Sequence, residues 1–182
     1  MSTLIRDYER FAKEANEICK GRVYTDHLRR YAYGVDASCY SYLPKVVVKA
    51  EDEREVRRLL RLCQQCGTPF TFRAAGSSLS GQCSSEDVLI VCNDGFKKME
   101  VIDDGKALKC ECGVIGSDAN DLLKPYNRKI GPDPATLATA LVGGILNNNS
   151  SGMCCGTAQN SYKTIRSIRV VLLDGSILDT SC

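Results

Sequence analysis

The sequence predicts an α+β fold of two lobes that mix sheet and helix, and three observations carry that expectation. Residues 44–98 read as strand, helix, strand, strand. Residues 99–182 instead hold two hairpin signals, Asp103-Asp104-Gly105 and Asp174-Gly175, each between short apolar runs. Each half also carries a stretch of small residues, Ala74 to Gly81 in the first and Gly131 to Gly156 in the second. Residues 1–43 precede the lobes as a helix and a tyrosine-rich loop.

In chain order, Leu4, Tyr8, Phe11, Ala15 and Ile18 recur at helical spacing, predicting a helix over 4–20 that stops at Gly21. The segment that follows reads as irregular. Its five tyrosines (24, 31, 33, 40 and 42) suggest a loop pinned to a surface by aromatic anchors. Pro44 ends it, and Val46-Val47-Val48 is a strand. Asp52 to Glu55 has the capping-box pattern, Val56, Leu59, Leu60, Cys63 and Cys66 form one stripe, and Gly67 fits the helix stop. Strands follow at Pro69–Phe72 and Val88–Val91. In the second half Met99–Ile102 pairs with Ala107–Cys112, Ser117 can cap a helix over Asp118–Lys124, and Pro125 ends it. Ile168–Leu173 and Ser176–Asp179 form the last hairpin. Ending at Cys182, just after a strand, the chain reads as a segment of a longer protein.

Composition narrows the function. With 43% hydrophobic and 25% charged residues the chain is globular, and a net charge of +2 from 24 basic and 22 acidic residues leaves no basic stripe for nucleic acid. No apolar run approaches the roughly 20 residues that cross a bilayer. The first residues lack the apolar core of a signal peptide, so the expected compartment is cytoplasmic. Eleven cysteines, an odd number without an export signal, read as reduced thiols. Cys63 and Cys66 lie in a helical pattern, Cys110 and Cys112 alternate on one strand face, and Cys154-Cys155 sit in a loop. The single histidine, His27, is far from any pair, so packing is favoured over a metal site, and His27 reads as a surface residue.

The chemistry is expected in the small-residue loops. Arg73-Ala74-Ala75-Gly76-Ser77-Ser78-Leu79-Ser80-Gly81-Gln82 leaves a strand end, and a tight turn of small residues aims several N–H groups at one point. That suits a phosphate or pyrophosphate, with Arg73 adding positive charge at the mouth. A Walker loop is excluded because Gln82 stands where the lysine is needed, and no Gly-x-Gly-x-x-Gly opens a helix. The second stretch, with Gly143-Gly144 and Asn147-Asn148-Asn149, supplies further amides and permissive backbone. Two such loops suit a long ligand with a pyrophosphate at its centre.

Three phrases, Arg73–Gln82, Gly131-Pro132-Asp133-Pro134 and Val142–Gly152, resemble the FAD-binding domain of the FAD-linked oxidases, flavoenzymes of the vanillyl-alcohol oxidase and p-cresol methylhydroxylase fold. Within that family the chain is most similar to the FAD subunits of D-lactate dehydrogenase and glycolate oxidase. Tyr33-Gly-x-Asp36-Ala-Ser38 and Ser151–Gly156 lean towards long bacterial members fused to an iron–sulfur domain. The resemblance implies an FAD-binding domain whose cofactor lies between two α/β lobes, 44–98 and 99–182. It implies that Ala74, Ala75, Gly76, Ser77, Ser78 and Leu79 wrap the pyrophosphate, with Arg73 and Gln82 fixing the loop. Pro132 and Asp133 would lie near the flavin or ribityl side, and Thr139, Gly143, Gly144, Asn149 and Gly152 would line the remainder.

Some relatives attach FAD through a histidine where this chain has Ser77, so binding is expected to be non-covalent, without a link to Cys154 or Cys155. A carboxylate introduced at Gly76 should then abolish flavin binding without unfolding the chain. No catalytic base is apparent, the flavin carries the hydride chemistry, and the segment alone is expected to be inactive. The parent would oxidise a small D-2-hydroxy acid, from the cytoplasm or the inner-membrane surface. Two alternatives remain: a reductase of the UDP-N-acetylenolpyruvoylglucosamine type, and a non-enzymatic nucleotide-binding or thiol-rich interaction module.

Overall fold

A computed structural model describes residues 6–181; Leu4 and Cys182 lie outside the described residues. The chain divides into two units. The first takes the chain up to Cys92 with the segment Val170–Leu178, and the second takes Asn93–Arg169 with the residues from Asp179 on.

In the first unit, α1 (Tyr8–Ile18) begins where the Asp7 carboxylate accepts from the Arg10 N–H, and it buries Phe11 and Ala15. It is shorter at both ends than the apolar spacing suggests. Gly21, expected as its stop, sits in the turn beyond the Cys19 cap, at φ +72°. The tyrosine-rich stretch is less irregular than its composition implies. It contains β1 (Val23–Tyr24) and α2 (His27–Ala32), the latter capped by Asp26, whose carboxylate accepts from the Arg29 N–H. His27 is exposed, beside the Tyr31 ring. Of the five tyrosines, Tyr24 and Tyr33 pack on the core, Tyr31 is mostly exposed and Tyr40 about half exposed.

The strand–helix–strand–strand reading holds as β2 (Val46–Lys49), α3 (Glu53–Cys66), β3 (Phe70–Arg73) and β4 (Val88–Val91). The sheet order is β1-β2-β4-β3, so β4 lies between two parallel neighbours and all four of its residues are buried. A strand covered on both faces reads as an unbroken apolar run, as Val88-Leu89-Ile90-Val91 does. Val47, Leu89 and Val91 gather on one face with Tyr24 and Tyr33. α3 is capped by Asp52, stopped by Gly67 at φ +64°, and buries Leu59, Leu60, Cys63 and Cys66. Because β3 and β4 are parallel, residues 74–87 must return across the sheet end, and the first small-residue loop opens that crossover.

In the second unit, β5 (Met99–Ile102) and β6 (Ala107–Cys110) form the expected antiparallel hairpin, turned by Asp103, Asp104 and Gly105 at positive φ. Helix α4 (Gly116–Leu123) starts earlier than expected, and Ser117 lies inside it rather than capping it. Backbone carbonyls do that work: Gly116 N–H donates to Ala140 O and Ser117 N–H to Leu137 O, each at 3.0 Å. A 3₁₀ turn at Lys124–Tyr126 ends at Asn127. Short helices α5 (Val142–Asn147) and α6 (Ser161–Thr164) follow, joined by the buried Ser161 hydroxyl, which lies 3.2 Å from Ile145 O and 2.9 Å from Ser150 O. Val114, Ala119 and Val142 form the core here, with Met99, Leu108, Cys110 and Leu146 around them. The closing hairpin, β7 (Arg169–Val171) and β8 (Ile177–Asp179), lies mostly in the Val170–Leu178 segment of the first unit.

One ion pair braces the first unit. Arg22 meets Glu55 in two hydrogen bonds, at 2.9 and 2.6 Å, and also donates to Lys49 O at 2.8 Å. Burial would raise the Glu55 carboxyl, but Arg22 and the Glu51 N–H outweigh it and hold the group below its ordinary value. A carboxyl with a depressed native pKa contributes stability above its unfolded value and loses it as pH falls through the native one. Glu55→Gln should therefore cost about 2 kcal/mol at neutral pH. The deficit should shrink in acid, as pH falls through the depressed native value of the carboxyl. Urea unfolding at neutral and acid pH checks this; equal midpoints at neutral pH would contradict it.

Candidate cofactor site

The first loop leaves β3 at Arg73, and its geometry is set by that residue's own side chain. Gly76 turns at φ +75°, and a Cβ there would stand 2.2 Å from Arg73 Nη2. The guanidinium thus lies folded under the turn instead of reaching out of it. It donates from Nη1 to Tyr33 O at 3.1 Å and lies 5.9 Å from the Tyr33 ring centre. Further along, Gly81 at φ +74° accommodates the Tyr40 ring, 2.8 Å from where a Cβ would be. Ser78 donates from its hydroxyl to Gln82 Oε1, and Ser80 N–H donates to Ser78 Oγ at 3.3 Å.

The loop's own backbone donors are left over. The N–H groups of Ala74, Ala75, Gly76, Ser77 and Leu79 donate to no atom among the described residues. Amides arranged on a turn of small residues and held by an arginine suit an anionic ligand with several acceptor oxygens. Leu79 is 79% exposed, which sets an apolar side chain beside that array.

In the second unit the expected residues divide by role. Asp133 and Gly152 form a parallel bridge, and a Cβ on Gly152, at φ +122°, would stand 1.8 Å from Asp133 O. Asp133 N–H donates to Ser151 O at 2.7 Å, and its carboxylate lies 3.7 Å from Lys129 Nζ. Pro132 is buried beside it. Asp133, Pro134, Ala135, Gly152, Met153 and Cys154 line an open concavity of about 530 Å³, in which Met153 is 99% exposed. Gly143 lies in the first turn of α5, where its N–H donates to Cys112 O at 2.9 Å and a Cβ would press on Cys112. Gly144 O accepts from the Asn148 N–H. Asn149, at φ +45°, accepts from the Tyr162 N–H, and Thr139 closes a turn on Thr136. Thus Asp133 and Gly152 come together at the concavity, whereas Asn149 and Thr139 serve the backbone around it.

Several cysteines take structural places. Cys63 and Cys66 are buried on α3, and burial pushes the Cys63 thiol up to about 11. Cys110 packs on the core of the second unit, but Cys112 lies past the end of β6 and is exposed, so the two do not share a strand face as their spacing suggests. Among the described residues no three His, Cys, Asp or Glu side chains are placed to hold a metal. Nor, among the described residues, is any helix long and apolar enough to cross a membrane.

Sequence reasoning assigned no site role to Tyr40 or Cys83. Cys83 Sγ donates to Asp36 Oδ2 at 3.4 Å. The available signal was the phrase Tyr33-Gly34-x-Asp36, which marks a segment but not what it supports.

The sequence family described as "FAD binding domain" matches residues 44–181. D-2-hydroxyglutarate dehydrogenase of Escherichia coli K12 is 28% identical over 88% of this chain, and glycolate oxidase subunit GlcD of Bacillus subtilis 168 is 27% identical over 83%. The chain spans 16% of the first relative's length and 33% of the second's. Among solved structures, alkyldihydroxyacetonephosphate synthase superposes with a TM-score of 0.81 at 19% identity, over 98% of this chain and 37% of that one. That likeness shows the fold.

The glycines give a direct test of this geometry. Gly152→Ala must displace the Asp133 carbonyl as well as accept a strained φ, and should cost about 3 kcal/mol or more. Gly156→Ala has a positive φ but open space, and should cost only about 1 kcal/mol. Urea unfolding of the two variants checks the order; a larger loss at Gly156 would contradict it.

Proposed function

This chain belongs to the FAD binding domain family, and on that premise we propose that it holds FAD non-covalently as the cofactor portion of a flavin-dependent dehydrogenase acting on the CH–OH group of a D-2-hydroxy acid. In this reading the pyrophosphate lies on Ala74, Ala75, Gly76, Ser77, Ser78 and Leu79, with Arg73 and Gln82 fixing the loop. Pro132, Asp133, Thr139, Gly143, Gly144, Asn149 and Gly152 form the part contributed by residues 99–182. The observation that carries it is the set of N–H groups in the first loop without a partner among the described residues, held on a turn whose positive φ at Gly76 strains any other residue.

The chain's own residues bind and orient. Backbone N–H groups supply donors whose direction is fixed before a ligand arrives, so little ordering is needed on binding. Arg73 contributes positive charge from beneath the turn while its Nη1 stays committed to Tyr33 O, which favours an anion at the turn. Ser77 offers no histidine-type linkage, and Cys155 is buried with its thiol near Gly152 O and Gly156 O, which supports a non-covalent mode. When bound, the flavin would supply the redox chemistry. The hydroxy-acid class follows the relatives' names, D-2-hydroxyglutarate dehydrogenase and a glycolate oxidase subunit. Small substrates of this class, D-lactate and glycolate among them, are the ones we propose for the whole protein.

FAD titration of the purified chain, read by thermal unfolding, tests the cofactor. Saturable stabilisation is expected, about 2.7 kcal/mol at a hundredfold excess over Kd. FMN, which lacks the pyrophosphate, should stabilise far less. Because a Cβ at position 76 meets the Arg73 guanidinium, Gly76→Ala should weaken FAD binding nearly as much as Gly76→Asp. No response to FAD, or an equal response to FMN, would overturn the assignment.

A further inference from the structure

The segment before β2 is itself a built object. Tyr42 N–H donates to Gly34 O at 2.8 Å, Val35 and Ser41 form a bridge, and a Cβ on Gly34 would stand 2.5 Å from Tyr42 O. Inside this closed loop Asp36 Oδ1 accepts from Ser38 N–H at 2.8 Å, and Ser38 Oγ accepts from Tyr40 N–H at 3.1 Å. Tyr33 anchors its start on the core of the first unit.

Three contacts from this segment reach the stretch 73–83. Tyr33 O accepts from Arg73, the Tyr40 ring fills the space over Gly81, and Asp36 Oδ2 accepts from Cys83 Sγ. The beginning, the second glycine and the end of the small-residue stretch are thus each held from outside. The segment also precedes position 44, where the family match begins.

We propose that Asp36 is a positioning residue for the FAD loop, joining the end of that loop through Cys83 to a scaffold, Tyr33–Tyr40, that sets the spacing of the loop's N–H groups. This rests on the cofactor reading above. The carboxylate is engaged by Ser38 and Cys83 and faces the charge of Arg73, so it serves the loop's shape without confronting a bound anion. Burial, followed by the Asp36 hydrogen bond, pushes the Cys83 thiol up, which keeps its S–H available as the donor. Side chains that act as one latch lose their effect together: removing either should cost nearly as much as removing both.

The test compares FAD Kd and ligand-free melting temperature for the unaltered chain, Asp36→Ala, Cys83→Ala, the double variant and Cys83→Ser. Each alanine variant should raise Kd by roughly tenfold, and the double variant by little more than either. Cys83→Ser, which keeps an O–H donor, should bind more tightly than Cys83→Ala while the ligand-free melting temperatures stay close. Unchanged affinity in Asp36→Ala, additive losses, or no advantage of serine over alanine would overturn the proposal. So would affinity losses that only track lost stability. If Asp36→Ala does not fold, the alanine and serine variants at Cys83 carry the test. Failure of the unaltered chain to bind FAD overturns the cofactor reading and this inference with it.

Discussion

Arg73 stands where β3 ends and the chain turns away, and its guanidinium occupies the volume that a side chain at Gly76 would need. The constraint works in both directions. Glycine lets the cation come under the turn, and the cation, tied to Tyr33 O, holds a backbone conformation that would otherwise be one of many. A surface loop of alanine, glycine and serine has little apolar area to bury, so the hydrophobic effect alone would leave it mobile. Here its order comes from a charged side chain packed beneath it and from the Tyr33–Tyr40 segment. The strand that delivers Arg73 is fixed in turn by pairing with the fully buried β4.

The second unit solves a similar problem by backbone contact. Gly152 and Asp133 lie too close for any Cβ, and Gly143 is pressed on Cys112 in the same way. In these places the small residue is required by what touches it. Helix α5 illustrates the consequence. Two glycines in six residues oppose helix formation, and the helix persists because the first-turn N–H groups of Val142 and Gly143 donate to Val114 O and Cys112 O.

Much of the fold was legible because its signals were local. Asp52 and Gly67 bracket α3, Asp103-Asp104-Gly105 marks a hairpin, and the unbroken apolar run 88–91 marks a covered strand. Helix α2 was not legible, since six residues with none buried give no apolar period. The placing of β4 between β2 and β3 depends on long-range parallel pairing, which no short window records. Ser117 looked like a cap because its residue type favours one, but carbonyls from residues 137 and 140 reach that helix end first. For the candidate site, the small-residue stretches identified where amides would be exposed. They could not show that Arg73 faces inward, because that depends on Tyr33, forty positions away.

The central claim is that the first loop presents a fixed set of N–H groups to the pyrophosphate of FAD. Amide hydrogen exchange of the chain with and without saturating FAD tests it most directly. Exchange at Ala74, Ala75, Gly76, Ser77 and Leu79, whose N–H groups have no partner among the described residues, should be fast in the free protein and strongly slowed on binding. Unchanged exchange at those positions, with FAD bound and other segments protected, would contradict the claim.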